Sequence, residues 1–269
     1  SDLLESIPVE EEHSIYISAL QKKRIQECKE KLAHRIPAED MTLQIVGDLL
    51  NPGDLAVLVI PIDSAAPKGR LILPQQQVIR DILEAGVASV TVRNTELALT
   101  LQNLEGKVRM VITDSQAFEE VAAIVPKEIP LTSFSILMAR FKGYLETAVK
   151  GIQAVDSLKD GDRILISEGC THHRQCEDIG TVKLPNWLLK YTGKNLTFEW
   201  SSGREFKEDL SPYAMVIHCG GCMLNEREVK YRMKCAVDQG VPFTNYGIAI
   251  AYMKGILQRS IEPIPNLPQ

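Results

Sequence analysis

No run in this chain approaches the roughly 20 consecutive apolar residues of a membrane-spanning helix, so no membrane partner is expected. The start, Ser1-Asp2-Leu3-Leu4-Glu5, is acidic and has no signal-peptide pattern. It also has no initiator Met, as in a piece of a longer protein, and the expected location is the cytoplasm. Basic residues are not in excess. A formal charge of −5 and a pI near 5.6 argue against a nucleic-acid partner, since phosphate binding needs clustered Lys and Arg. The one basic run, Gln21-Lys22-Lys23-Arg24, is expected on a solvated helix face that also carries Glu27 and Glu30. Cysteine is scarce: six in 269 residues are too few for a disulfide scaffold. Missing too are the Gly-x-x-x-x-Gly-Lys-Ser/Thr of a phosphate-cradling loop and the Gly-x-Gly-x-x-Gly of a dinucleotide site. With no Ser/His/Asp set or paired carboxylates, an enzyme reading has little to rest on, and saturable NAD or ATP binding is not expected.

What is present is the composition of a globular protein, 45% apolar and 24% charged, long enough for two cores. Ser14-Ile15-Tyr16-Ile17 is a short β-like run, followed by a helix with Ile25, Cys28, Lys29 and Leu32 that stops near Pro37. From there strands and helices alternate. The run 55–60, between Pro52-Gly53 and Pro61, suits a strand buried on both faces. Pro74 opens a helix that ends at Gly86. Strands follow at 87–92 and 108–112, and helices at 95–104 and beyond Ser115, the expected N-cap. Pro126 and Pro130 mark a domain boundary. Helices over 133–141 and 145–158 come next. The alternation then resumes with strands at 163–167, 196–200, 214–217 and near 242–243, and helices at 186–191, 226–239 and 248–258. The proline-rich tail from 261 reads as an extended arm. No long-period repeat is visible. The predicted fold is α/β, two consecutive parallel-sheet, Rossmann-like domains over 37–128 and 129–269, preceded by a short segment 1–36.

Three cysteines fall where chemistry is built. Cys170 follows the strand 163–167, in Glu168-Gly169-Cys170-Thr171-His172-His173. Cys219 and Cys222 follow the strand 214–217, in His218-Cys219-Gly220-Gly221-Cys222. Both groups sit at carboxyl ends of strands, where an open parallel sheet binds its ligands. Asn225 with Glu228 is a capping box that starts the next helix near Cys222, so the helix end favours a thiolate there. Gly220 and Gly221 allow a close backbone approach.

Four readings fit those residues. Three thiolates with nearby imidazoles suit an iron–sulfur cluster with one weakly held corner. The same types make a Cys₃His zinc site, with His172 or His218 as the fourth ligand, in a zinc-stabilised interaction module. A Cys-x-x-Cys redox pair is a third reading, though it has no use for Cys170. Plain buried thiols are the fourth. Cys28 and Cys235 lie on apolar helix faces as core residues, Cys176 is a bystander near the loop, and His13 and His34 belong to the surface.

The order Cys170-x-His172, some forty-five residues, then His218-Cys219-x-x-Cys222 resembles the cluster signature of the HydF family, the scaffold and GTPase of iron–iron hydrogenase maturation. The stretch from Gly47-Asp48-Leu49-Leu50 to Lys68-Gly69-Arg70-Leu71-Ile72-Leu73-Pro74-Gln75 is similar to that family's middle domain. Ile17-Ser18-Ala19-Leu20 and the next helix resemble the last strand, Ser-Ala loop and final helix of a P-loop GTPase. The resemblance implies a dimerisation domain over 37–128, a cluster-binding domain over 129–269 and a GTPase remnant over 1–36, so GTP binding and catalysis are not expected of this chain. It implies a 4Fe–4S cluster on Cys170, Cys219 and Cys222 with an exchangeable fourth ligand. Candidates for that ligand, or for outer tuning groups, are His172, His218, Glu177 and Glu168. It implies a homodimer or larger assembly, two radical-SAM maturases that supply a diiron precursor, and an apo-hydrogenase that receives it. An open apolar edge strand in the middle domain would itself favour pairing with a second copy.

Overall fold

The strand–helix alternation is realised in a computed structural model of the chain, which describes residues 14–34, 44–62, 71–169, 179–203, 206–265 and 267. The chain divides into two units, Ser1–Leu43 and Gln44–Gln269. In the first, helix α1 is Ile25–His34. The β-like run 14–17 is not a strand. The only ladder among the described residues there is one antiparallel bridge between Ser18 and Lys23. The basic run lies in that turn rather than in the helix, with Lys22 at φ 54° and Arg24 at φ 58°.

In the second unit, β1 (Leu55–Val59), α2 (Leu73–Glu84), β2 (Ala88–Val92), α3 (Leu97–Asn103), β3 (Val108–Thr113), α4 (Phe118–Ile124) and β4 (Leu131–Ser133) form a parallel sheet in the order β2-β1-β3-β4. Val57 and Val59 of β1 enter one core; Ala56 and Leu58 enter another with Val78 and Ile82 of α2. That alternation covers β1 on both faces. Ser115 does not cap α4. It starts a 3₁₀ turn, Ser115–Ala117, and its hydroxyl lies 3.0 Å from that of Ser135.

Helices α5 (Phe134–Phe141) and α6 (Leu145–Ile152) lead into a second sheet of β5 (Arg163–Glu168), β6 (Thr197–Ser202), β7 (Met215–His218) and β8 (Phe243–Asn245), ordered β6-β5-β7-β8 and again all parallel. Its helices are α7 (Leu184–Thr192), α8 (Glu226–Asp238), α9 (Tyr246–Met253) and α10 (Leu257–Ile261). The expected arm after 261 instead turns back, with Ile264 N–H on the Ile261 carbonyl at 2.9 Å and its side chain buried. The chain position 128/129 falls inside shared structure: β4 follows it and still completes the first sheet.

The two sheets have one topology, and the likeness extends to detail that the sequence reading missed. Residues 130–145 and 242–257 align without a gap, with Pro130/Pro242, Thr132/Thr244, Ile136/Ile248, Ala139/Ala251, Lys142/Lys254 and Gly143/Gly255 identical. Ser133 and Asn245 cap α5 and α9 through the amides of Ile136 and Ile248. Gly143 and Gly255 end those helices at φ 71° and 69°, the left-handed stop that glycine provides. The halves also exchange elements, α6 packing on β8 and α10 on β4. A Cβ on Gly247 would overlap the side chain of Ser135, its counterpart, so a local twofold passes between them. The repeat escapes a periodicity search because the connections between matched elements differ in length.

Gly151, on α6, has no room for a side chain: a methyl there would run into the Phe243 carbonyl of β8. Gly151→Ala should lower stability by about 1–3 kcal/mol, the usual cost of overpacking, in urea unfolding. An unchanged midpoint would refute this docking of α6.

Candidate metal centre at the carboxyl ends of β5 and β7

β5 and β7 are adjacent, with Ser167 in register with His218. The chain leaves β5 towards β6 on one side and leaves β7 towards β8 on the other, so their ends form the topological switch point where open α/β sheets bind ligands. Cys219 extends the ladder one step, its N–H on the Ser167 carbonyl at 2.8 Å. Its Sγ then accepts the N–H of Gly169 at 3.0 Å and of Gly221 at 3.4 Å. Burial pushes the Cys219 thiol up from its ordinary value, and those two N–H donors act against the rise. Amide donors on sulfur are the contacts that tune metal-bound thiolates.

Gly169 is held close by packing, since a Cβ there would lie 2.6 Å from Leu224 Cδ1. Gly221 adopts φ 60° beside Val229 and His218, whereas Gly220 faces open space. Of the two glycines, then, only Gly221 meets a crowded, left-handed requirement. Asn225 caps α8 through the Glu228 amide at 2.8 Å. The Glu228 carboxylate takes Arg232 Nε at 2.8 Å.

His218 is fully buried. Burial, with the Arg232 and Lys142 cations adding to it, pushes its imidazole down to about 4 against the hydrogen bond to the Cys219 carbonyl. The ring is therefore neutral at neutral pH. Nδ1 lies 2.6 Å from the Cys219 carbonyl and donates; Nε2 lies 3.3 Å from Arg232 Nη1 and accepts. Glu168 is buried, with Tyr246 Oη 3.4 Å from its Oε1. Cys170, His172 and Glu177, like Cys176, lie outside the described residues. Among the described residues no group of three or more His, Cys, Asp or Glu side chains converges as a metal set. Cys28 and Cys235, expected in the core, are half-buried.

Two cations that sequence reasoning passed over frame the site. Arg232, 1% exposed, joins Glu228, His218 and the Gly203 carbonyl at 2.6 Å, and stacks 5.2 Å from the Phe206 ring centre. Lys142, 4% exposed, reaches from the end of α5 to the carbonyls of Gly221 and of Leu224, the latter at 3.1 Å. Burial lowers its ordinary value, and Cys222, Cys219 and Glu226 oppose that shift. The Lys-Gly pair repeated at 142–143 and 254–255 was the available signal.

The fold and this switch point define a double parallel α/β protein with a cysteine pair at the ligand-binding end of its second sheet. Residues 45–143 match the hydrogen maturase F dimerization domain, and residues 146–263 match the hydrogen maturase F tetramerization domain. The chain belongs to the hydrogen maturase F family. Membership places it in hydrogenase maturation, and both matched domains are named for self-association. No curated protein matches the chain. A solved structure of 5,10-methylenetetrahydrofolate dehydrogenase from the silkworm Bombyx mori is 11% identical over 88% of this chain and 92% of its own, with a TM-score of 0.25, too low to bear on fold or function. No helix among the described residues is long and apolar enough to cross a membrane.

Arg232→Met would leave His218 Nε2 and the Gly203 carbonyl without their donor. At about 1–3 kcal/mol for a buried group left unpaired, it should destabilise the protein clearly more than Glu228→Gln, whose part-exposed ion pair is worth about 0–1 kcal/mol. Equal urea midpoints for the two variants would count against Arg232 as the hub.

Proposed function

We propose that the chain is a carrier in iron–iron hydrogenase maturation, holding a 4Fe–4S cluster on Cys170, Cys219 and Cys222. The observation that supports this most is the Gly169 N–H on Cys219 Sγ. One peptide bond separates Gly169 from Cys170, so the two half-motifs begin at adjoining positions of one switch point. The donor set suits the group: thiols at a sheet end, amide donors on the Cys219 sulfur and a buried ammonium near the cysteine pair, which would offset part of the charge of three thiolates.

When bound, the cluster would supply an iron corner free to take and release an exchangeable ligand. His218 serves as an orienting residue, because both of its ring nitrogens are engaged within the protein. That leaves His172, Glu177 and Glu168 as candidates for the fourth position. The cargo is a diiron precursor received from radical-SAM maturases and passed to apo-hydrogenase. Among the described residues β2 pairs only with β1, and that edge offers a place for a second copy to extend the first sheet.

Anaerobic reconstitution with iron and sulfide tests the reading. We expect a brown protein absorbing near ~400 nm, as iron–sulfur thiolates do. Cys170→Ala, Cys219→Ala and Cys222→Ala should each lose it, while Cys28→Ala and Cys235→Ala should retain it. Equal iron in all five variants would overturn the assignment. One tightly held zinc in the purified protein, with unfolding of the second sheet on its removal, would favour the zinc module instead.

A further inference from the structure

From its reach across the repeat, we infer that Lys142 is the positioning residue that holds the Cys219–Cys222 loop in its cluster-binding shape; this rests on the cluster-carrier reading. A loop with two adjacent glycines has little stiffness of its own, and Gly220 has no neighbour within 4 Å of where a Cβ would stand. Such a loop fixes its cysteines only if its backbone is tied from outside. The Lys142 ammonium does this at the Gly221 and Leu224 carbonyls, one on each side of Cys222. The anchor comes from the other half of the molecule, at the end of α5. There Gly143 turns the chain at φ 71° against Lys230, whose Cε would lie 2.8 Å from an added Cβ.

The repeat contains its own control. Lys254 occupies the same place at the end of α9 and reaches back to the first half, where it pairs with Glu119 on α4 at 2.5 Å. The two lysines therefore cross the local twofold in opposite directions. Lys254 is a third exposed and meets an exposed carboxylate; Lys142 is enclosed and meets backbone oxygens of the cysteine loop. Register makes Asp114, after β3, the counterpart of Cys219 after β7: Thr113 pairs with Ser133 as His218 pairs with Asn245. The first half thus has the same lysine and the same switch point with no thiol at that position.

The test uses the full chain, reconstituted anaerobically with iron and sulfide, as wild type, Lys142→Met, Lys142→Arg and Lys254→Met. Two quantities are read: the rate of iron loss to a ferrous chelator, and the reduction potential of the cluster. Lys142→Met should lose iron about 10-fold faster or more, the usual scale for outer-shell substitutions, and its potential should move to more negative values as a nearby positive charge is removed. Lys254→Met should match wild type in both. Lys142→Arg should keep the potential near wild type while losing iron at an intermediate rate. The inference is overturned if Lys142→Met matches wild type in both readings, or if Lys254→Met is equally impaired. Should Lys142→Met fail to fold by circular dichroism, Lys142→Arg decides, and an unchanged chelator rate would overturn the inference. A wild-type chain that takes up no iron would instead sink the cluster reading itself, and this inference with it.

Discussion

The ladder between β5 and β7 brings together chain positions that lie some fifty residues apart. Ser167 accepts the N–H of Cys219, and Gly169 then returns an N–H to the sulfur of that residue. The cysteine is thus bonded through backbone and side chain to the strand end that precedes Cys170. Every other device around it adjusts this starting geometry. His218 holds the Cys219 carbonyl, Arg232 holds His218, and Lys142 holds the far end of the loop. A doubly wound sheet requires its neighbouring central strands to part company at their carboxyl ends, so the crevice follows from connectivity before any side chain is chosen.

Much of this was legible in the residues. Continuous apolar runs such as 55–60 marked buried parallel strands, Leu73-Pro74 marked a helix start, and the cysteine half-motifs fell just after runs that proved to be β5 and β7. Asn225 was read correctly as a cap. What escaped the reading had weak local signals. β4 is three residues long, too short to show a period, and is specified by the strand it joins rather than by itself; β8, equally short, was read near 242–243 and spans Phe243–Asn245. Ser115 looked like a cap, but its hydroxyl was taken by Ser135, far along the chain. Lys142 and Arg232 drew no attention in the sequence, because a basic residue in or just after a helix is usually solvated; their burial depends on distant carbonyls and on Phe206.

The internal repeat shows where such reasoning loses its grip. Identity between the halves survives at the left-handed Gly143 and Gly255 with the lysines before them, and at the buried Thr132 and Thr244, and is diluted elsewhere. Chemistry diverged at the equivalent strand ends, where Asp114 accepts from Gln75 at 2.9 Å while Cys219 accepts from main-chain amides. One scaffold can therefore carry a polar contact in one copy and a sulfur site in the other without altering its topology.

The reciprocal docking of α6 on β8 and of α10 on β4 has a bearing on how the chain can be divided. A cut near residue 155, after α6, would leave each fragment with the helix that roofs the other's last strand and without its own. Two such fragments are complementary pieces, and rejoining them in solution is the natural way for either to bury its bare face. The same geometry permits two intact chains to trade these helices, an intermolecular exchange that needs no new surface.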